Sequence, residues 1–546
     1  MLKTMKRILL ALLVLLFIPA LFSDNGTGQS NKEWRRSALN RPRRIFMNND
    51  GNDPIKYAVE ASREGLLKKR TQALANTQVD ALAYCTFCAG FGNFTHFTKV
   101  GNIFTTTEPP FQTNKTKDFL AAGIDPLRTM IEFMHASNKE CFWSMRMNDT
   151  HDGGRRPETQ GPVLFRNNPL KQSHPEWLMG GPDEKPSRPS WSAVNYGVAE
   201  IRDLAFRFFE EVCQDYDVDG VEMDFFRHPV FFKATTDRKS VTQLERDQMT
   251  ELMAGIRKMT DAAGRKRGRP ILVAVRVPDS AEYCKAIGLD MEKWLADDLI
   301  DILVMSGYFQ INDWEYSVAL AKKYGVKAYA SLDESRVTDP IAMQRRKTDM
   351  AYRGRALNAL DAGMEGVYLF NMFDPSRNIW NELNSPEIMK KLDRDYFASI
   401  RGERDAAGGN LSYKNFVTTE LFAPNAARLI RPGKNETVRL RIGEKLTESP
   451  DATPKLHLMF AQSFDPQKIT VIINGKKHDK KLSLKEAENP AVANKHFKSG
   501  WEMVLDVDAS QYKRGHNNIT VTLDKSVRKP IIWSDIILEI RNSPSL

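Results

Sequence analysis

Asp219-Gly220-Val221-Glu222-Met223-Asp224-Phe225-Phe226-Arg227-His228-Pro229 reads as a buried strand that ends by presenting two carboxylates and then a basic pair. Alternation puts Val221, Met223 and Phe225 on one face and Glu222 and Asp224 on the other. An apolar outer face with acids on the inner one is the pattern of a (β/α)8 barrel strand, whose C-terminal end carries the chemistry. Paired carboxylates at such a mouth are what glycosidic-bond cleavage requires, one to protonate the leaving oxygen and one to attack or to activate water.

Working outward, short apolar runs alternate with amphipathic helical stretches from Arg44 to about Ser399, which argues a parallel α/β architecture. The spacing predicts eight strands: Arg44–Asn48, Ala81–Phe87, Cys141–Asn148, Gly220–Phe226, Ile271–Val277, Ile300–Tyr308, Lys327–Leu332 and Gly366–Asn371. Helices are expected between them, among them Asp118–Ser137, Gly197–Asp215, Ser240–Ala263, Asp313–Tyr324 and Pro340–Ala362. The Gly-, Pro-, Arg- and Trp-rich insert Asp149–Asn195 follows the third strand and suits a cleft-building segment. Residues 401–413 turn small and polar and read as a linker. Beyond them, from 414 to 546, short alternating strands with an Asn474-Gly475 hairpin signal predict an antiparallel β-sandwich. The barrel is expected over residues 24–400.

Met1 to Arg7 is basic and Ile8 to Phe22 apolar, so residues 1–23 read as a signal peptide, implying a secreted or periplasmic protein with no membrane span once it is removed; an uncleaved anchor is the alternative, since Leu21-Phe22-Ser23 is a mediocre cleavage site. Residues 1–45 hold nine basic and two acidic side chains, or +7 of the net +10. The rest is near balance and makes no case for a nucleic-acid partner; Arg35, Arg36, Arg41, Arg43 and Arg44 read as a solvated lead-in. Cys85 and Cys88 form one C-x-x-C without the second pair that a zinc site needs, and neither a metal nor another cofactor is expected. Nothing in the sequence bears on oligomeric state.

On the inner face, Arg146 of the third strand and Arg276 of the fifth are expected level with Glu222, which they would clamp in its ionised form. That leaves Asp224, one step nearer the mouth, as the preferred reactive carboxylate. Asp333 and Glu334 after the seventh strand are the candidate opposing acids. Asn48, Tyr84, Asn148, His151, Tyr308 and Asn371, with Arg146, Arg227, His228 and Arg276, are the candidate substrate-binding groups; polar side chains converging on one barrel end suit a carbohydrate. His151 and Asp152 lie at the cleft rim without a complete metal-ligand set.

The stretches Arg44 to Asp50, Trp143 to Asp152, His174-Pro175-Glu176-Trp177-Leu178 and Asp219 to Pro229 resemble secreted bacterial barrel proteins grouped as family-ten-like glycosyl hydrolases. The resemblance spans roughly residues 40–400 and implies a (β/α)8 fold, carbohydrate hydrolysis and a β-rich C-terminal module. It carries no catalytic pair across. The motif at Asp219 also resembles the family-eighteen chitinase strand, but Phe226 stands where that family's proton-donating glutamate would be. The Asn-Glu pair that ends the fourth strand in true family-ten xylanases is absent as well. A barrel that binds glycan without cleaving it is the alternative reading.

Overall fold

The computed structural model describes residues 30–86, 90–153, 167–184, 190–333, 337–400, 411–449, 452–487 and 500–542. Eight parallel strands close a barrel in chain order: β1 (Ile45–Asn49), β2 (Ala81–Tyr84), β3 (Glu140–Arg146), β4 (Gly220–Asp224), β5 (Leu272–Val277), β6 (Ile302–Met305), β7 (Lys327–Asp333) and β8 (Gly366–Phe370), with β8 pairing back onto β1. Alternation works as the sequence predicts. The outward Val221 and Met223 pack under the helices, while Phe46, Phe142 and Tyr329 meet edge-to-face inside the barrel at 5.4 and 5.1 Å. Gly220 is required there, since a Cβ on it would lie 2.2 Å from the Phe142 ring. These rings fill the barrel bottom and leave its polar residues at the other end.

Two strands stop earlier than their apolar runs suggest. β4 ends at Asp224 because that side chain turns back and accepts the backbone N–H groups of Phe226 and Arg227 at 2.9 and 3.0 Å. β6 ends at Met305 because Ser306 (φ 70°) and Gly307 (φ 150°) swing the chain out of the sheet. The expected helix Asp118–Ser137 is two helices, Thr116–Ala121 and Pro126–Ala136, broken at Gly123 and restarted by Asp125, which caps Leu127 and Arg128. Pro340–Ala362 is likewise divided, with Thr348 capping its second half.

The basic lead-in is solvated only in part: Arg36, Arg41 and Arg44 are exposed, as expected, but two of its arginines are not. Arg35, on the helix Asn31–Leu39, is buried among Asp261, Asp298 and Asp301, and Arg43 is buried against Glu140. Each guanidinium meets acids that the sequence places more than ninety residues away, which periodicity does not reveal. Cys85, Cys141, Cys213 and Cys284 are buried and in no disulfide; Cys88 lies outside the described residues, as does the leader Met1–Ser23.

The C-terminal strands form two antiparallel sheets. One joins β9 (Arg394–Phe397), β10 (Arg428–Ile430), β12 (Ala452–Phe460), β14 (Trp501–Asp506) and β16 (Ile531–Asn542); the other joins β11 (Asn435–Ile442), β13 (Ile469–Ile473) and β15 (Gly515–Leu523). Asn474 and Gly475, both at positive φ, turn the hairpin after β13. β9 precedes residue 400 yet pairs with β16, so this β-sandwich draws its edge from before the linker. The sandwich is fastened to the barrel by Arg346, which donates two 2.8 Å bonds to Asp535 with both side chains buried, and by Tyr413 stacked on Phe309 at 3.9 Å.

Candidate active site

The inner face at the C-terminal end of the strands gathers most of the expected residues, at different levels from those expected. The register pairs Glu222 with Ser144 and Ala274, and pairs Asp224 with Arg146 and Arg276. The arginines therefore stand level with Asp224, and the clamp expected at Glu222 is not formed. Arg276 donates from Nη2 to Asp224 Oδ2 at 2.7 Å. Its guanidinium lies 3.9 Å from the Phe370 ring centroid and is flanked by Phe226 and Tyr308. Gly307 makes this packing possible, because a Cβ there would sit 2.5 Å from Arg276 Nη1 and 2.6 Å from Phe226.

Glu222 lies one layer deeper, inside a hydroxyl network. Its Oε1 accepts from Ser144 Oγ at 2.7 Å and from the hydroxyl of Tyr368, on the opposite strand β8, at 2.8 Å; Asn48 Nδ2 donates to the same hydroxyl at 2.9 Å. Burial, with Asp224 next to it, pushes the Glu222 carboxyl up to about 7 against the opposing pull of Ser144, Arg276 and Tyr368. The shift runs opposite to the lowering expected for it. Asp333 ends β7 on the same inner face, level with Phe370, and is fully buried. Glu334 lies outside the described residues.

At the rim, Arg146 donates to Asp149 Oδ2 at 3.0 Å, and Asp149 Oδ1 meets His151 Nδ1 at 2.6 Å. Burial pushes the Asp149 carboxyl up, but His151 and Arg146 outweigh it and hold it well below the usual carboxylate range. His151 Nε2 faces Arg227 Nη2 at 2.8 Å, and Arg227 Nη1 donates to the Tyr308 hydroxyl. His228 packs edge-on to His151 with centroids 5.0 Å apart, and burial drives its imidazole well below its ordinary value, so it is neutral. Asp149, His151 and His228 offer ligand atoms within 4.8 Å of one another. Two guanidinium groups are already engaged with that cluster, which opposes a bound cation. Asp152, expected beside His151, instead forms a buried pair with Lys171 Nζ at 2.5 Å.

Other expected residues do different work. Asn148 spends its amide on Val194 and the carbonyl of Val230, tying the insert to the barrel. Tyr84 shares the register of Asn49 and Trp143, on the outer face of the barrel, and does not point into the mouth. Asn371, at φ 60°, sits half-buried just past β8.

Sequence reasoning passed over a second polar group beside the mouth. Arg70 lies 2.7 Å from Asp50 and 4.0 Å from Asp53, with its guanidinium over the rings of Phe373 (4.0 Å) and Tyr57 (4.9 Å). Burial pushes Asp53 up to about 6 in spite of Arg70, with Asp50 adding to the effect. Arg70 sits in a stretch with no periodicity, so nothing in the sequence marks it. Tyr368 was legible, since it alternates with Phe370 on the inner face.

No family model and no curated protein matches this chain. Among solved structures it is similar to a cycloisomaltooligosaccharide glucanotransferase from a Paenibacillus species (10% identity over 91% of this chain and 57% of that one, TM-score 0.33). It is also similar to a glycoside hydrolase family 18 N-acetylglucosaminidase from Paenibacillus barengoltzii (11%, 63% and 99%, TM-score 0.35). A third is the PgaB (BpsB) glycoside hydrolase domain from Bordetella bronchiseptica (8%, 64% and 96%, TM-score 0.37). The chain spans just over half the length of the glucanotransferase. Overlaps this loose bring neither a residue role nor a substrate across to this chain.

Proposed function

We propose that the protein is an exported glycoside hydrolase of the family-ten-like kind, which cleaves a polysaccharide or its oligosaccharides at the C-terminal end of the barrel. Export through the leader Met1–Ser23 is part of this proposal. The observation that carries it is the set of three inward carboxyl groups, Glu222, Asp224 and Asp333, in contrasting environments. Glu222 is held near 7 among hydroxyls, whereas Asp224 lies against Arg276 and two backbone amides. Environments that separate neighbouring carboxyl groups are what acid and base roles need. In this reading Asp224 is the carboxylate that attacks the anomeric carbon or activates water, and Asp333 is the opposing carboxyl group of the pair. Glu222, its carboxyl raised toward neutrality, limits the negative charge beneath Asp224. Arg276 fixes the orientation of Asp224, and Tyr308 closes the aromatic wall on which a sugar ring could rest.

One observation favours a second reading, a barrel that binds glycan without cleaving it: both oxygens of Asp224 are already engaged by protein donors. Incubating the purified chain with a broad glycan panel separates the two. New reducing ends support hydrolysis; binding with no reducing-end release selects the second reading.

A further inference from the structure

Three arginines at the mouth described above have an acid of their own: Arg70 has Asp50 at 2.7 Å, Arg146 has Asp149 at 3.0 Å and Arg276 has Asp224 at 2.7 Å. Arg227 does not. Among the described residues no carboxylate lies within ion-pair distance of it; its partners are the Tyr308 hydroxyl and His151 Nε2, and its Nε is buried without a hydrogen-bond partner. Burial lowers its guanidinium below the ordinary value, and the nearby Arg146 charge adds to that effect against the opposing pull of Tyr308, Asp149 and Asp224. A half-buried cation with no carboxylate partner and a spare N–H carries a desolvation cost that an incoming anion would offset. Its position is fixed relative to the reactive end of the barrel, because the Arg227 backbone N–H donates to Asp224 Oδ1 at 3.0 Å.

We propose that the glycan taken at this mouth carries an oxyanion substituent, a carboxylate or a sulfate ester, and that Arg227 is the group that receives it. The inference rests on the carbohydrate reading above and names the substrate class for it. Beyond the bonds to Tyr308 and His151, Arg227 keeps one hydrogen on each Nη, a planar pair that matches two oxygens of either anion. His151, whose ring nitrogens are taken up by Asp149 and Arg227, holds the guanidinium in place, and Tyr308 supports it from the other side.

The test is calorimetric titration of the full chain, at low ionic strength, with a uronic-acid oligosaccharide, a sulfated oligosaccharide and a neutral oligosaccharide of the same length. The parent should bind one of the acidic ligands at least about tenfold more tightly than the neutral one, with the margin shrinking as salt is added. Which acidic ligand it prefers identifies the substituent. Arg227→Met should erase the margin, and Arg227→Lys should keep part of it, since a charge remains but the fork is lost. Equal binding of neutral and acidic ligands overturns the inference, as does failure to bind any of them. So does a margin that survives in Arg227→Met, or one that is undiminished in Arg227→Lys, in a variant that melts like the parent. A chain that binds the acidic ligand through Arg227 but releases no reducing ends leaves this inference standing and removes the hydrolase reading.

Discussion

Replacing Glu222 by Gln tests the inner layer of the barrel. The carboxyl is pushed from 4.5 in the unfolded chain to about 7 in the folded one, so the native state holds this proton more tightly. Between those values the native state binds more protons than the unfolded state, and stability falls as pH rises through that window. Above about pH 7 the full shift acts as a destabilisation of about 3 kcal/mol. Glutamine keeps an oxygen that can accept from Ser144 and Tyr368 but has no charge to bury. Its amide adds donors whose burial costs about 1–3 kcal/mol if they find no acceptor, a cost that does not depend on pH. The difference between two pH values is therefore the quantity that isolates Glu222. Urea unfolding of parent and Glu222→Gln, at about pH 4.5 and about pH 8, should show the variant gaining about 3 kcal/mol relative to the parent between the two. An offset that stays constant across the range would refute the reasoning, because Glu222 would then be ionised throughout. An arginine clamp at Glu222 predicts the opposite result, a loss of about 3–5 kcal/mol at pH 8.

Gly307→Ala should cost about 1–3 kcal/mol, because the new Cβ runs into Arg276 and Phe226 at a backbone angle that disfavours side chains; urea unfolding reads the loss, and a parent-like midpoint would contradict the packing described. Arg346→Met should lower stability by about 3–5 kcal/mol, since it leaves Asp535 buried without its counter-charge where barrel meets sandwich. Arg63→Met, which breaks an ion pair with Glu132 about half exposed on both sides, should change stability by less than about 1 kcal/mol in the same melting experiment.

The barrel was legible because a strand covered by helices outside and packed with polar groups inside writes both faces into a period of two, as at Val221-Glu222-Met223-Asp224. Strand ends were less so. Nothing in a pattern of apolar residues says that the Asp224 side chain will cap its own turn, or that Ser306 will take a positive φ. Relative depth was not legible at all. Alternation fixes the face of each residue but not how far one strand slides against the next, and that slide puts Arg146 and Arg276 beside Asp224 instead of Glu222. The rim ladder through Asp149, His151 and Arg227 joins β3 to β4 through loops, where chain spacing says little about distance. Asn148 shows the converse: a polar residue at a strand end, read as a ligand group, is consumed by the backbone of its own insert.

The claim that Asp224 is the reacting carboxylate is tested most directly by measuring turnover and binding together, for the parent and for Asp224→Asn, on whichever glycan the parent cleaves. The structure sets one condition. Asparagine leaves Arg276 buried without its acid, so the variant should melt at a lower temperature than the parent, and both must be assayed well below that transition. Under that condition Asp224→Asn should bind the glycan within a few-fold of the parent and turn it over roughly a thousandfold more slowly, or worse. Turnover within a few-fold of the parent, by a variant shown to be folded, would contradict the account and leave Asp224 as a strut for Arg276.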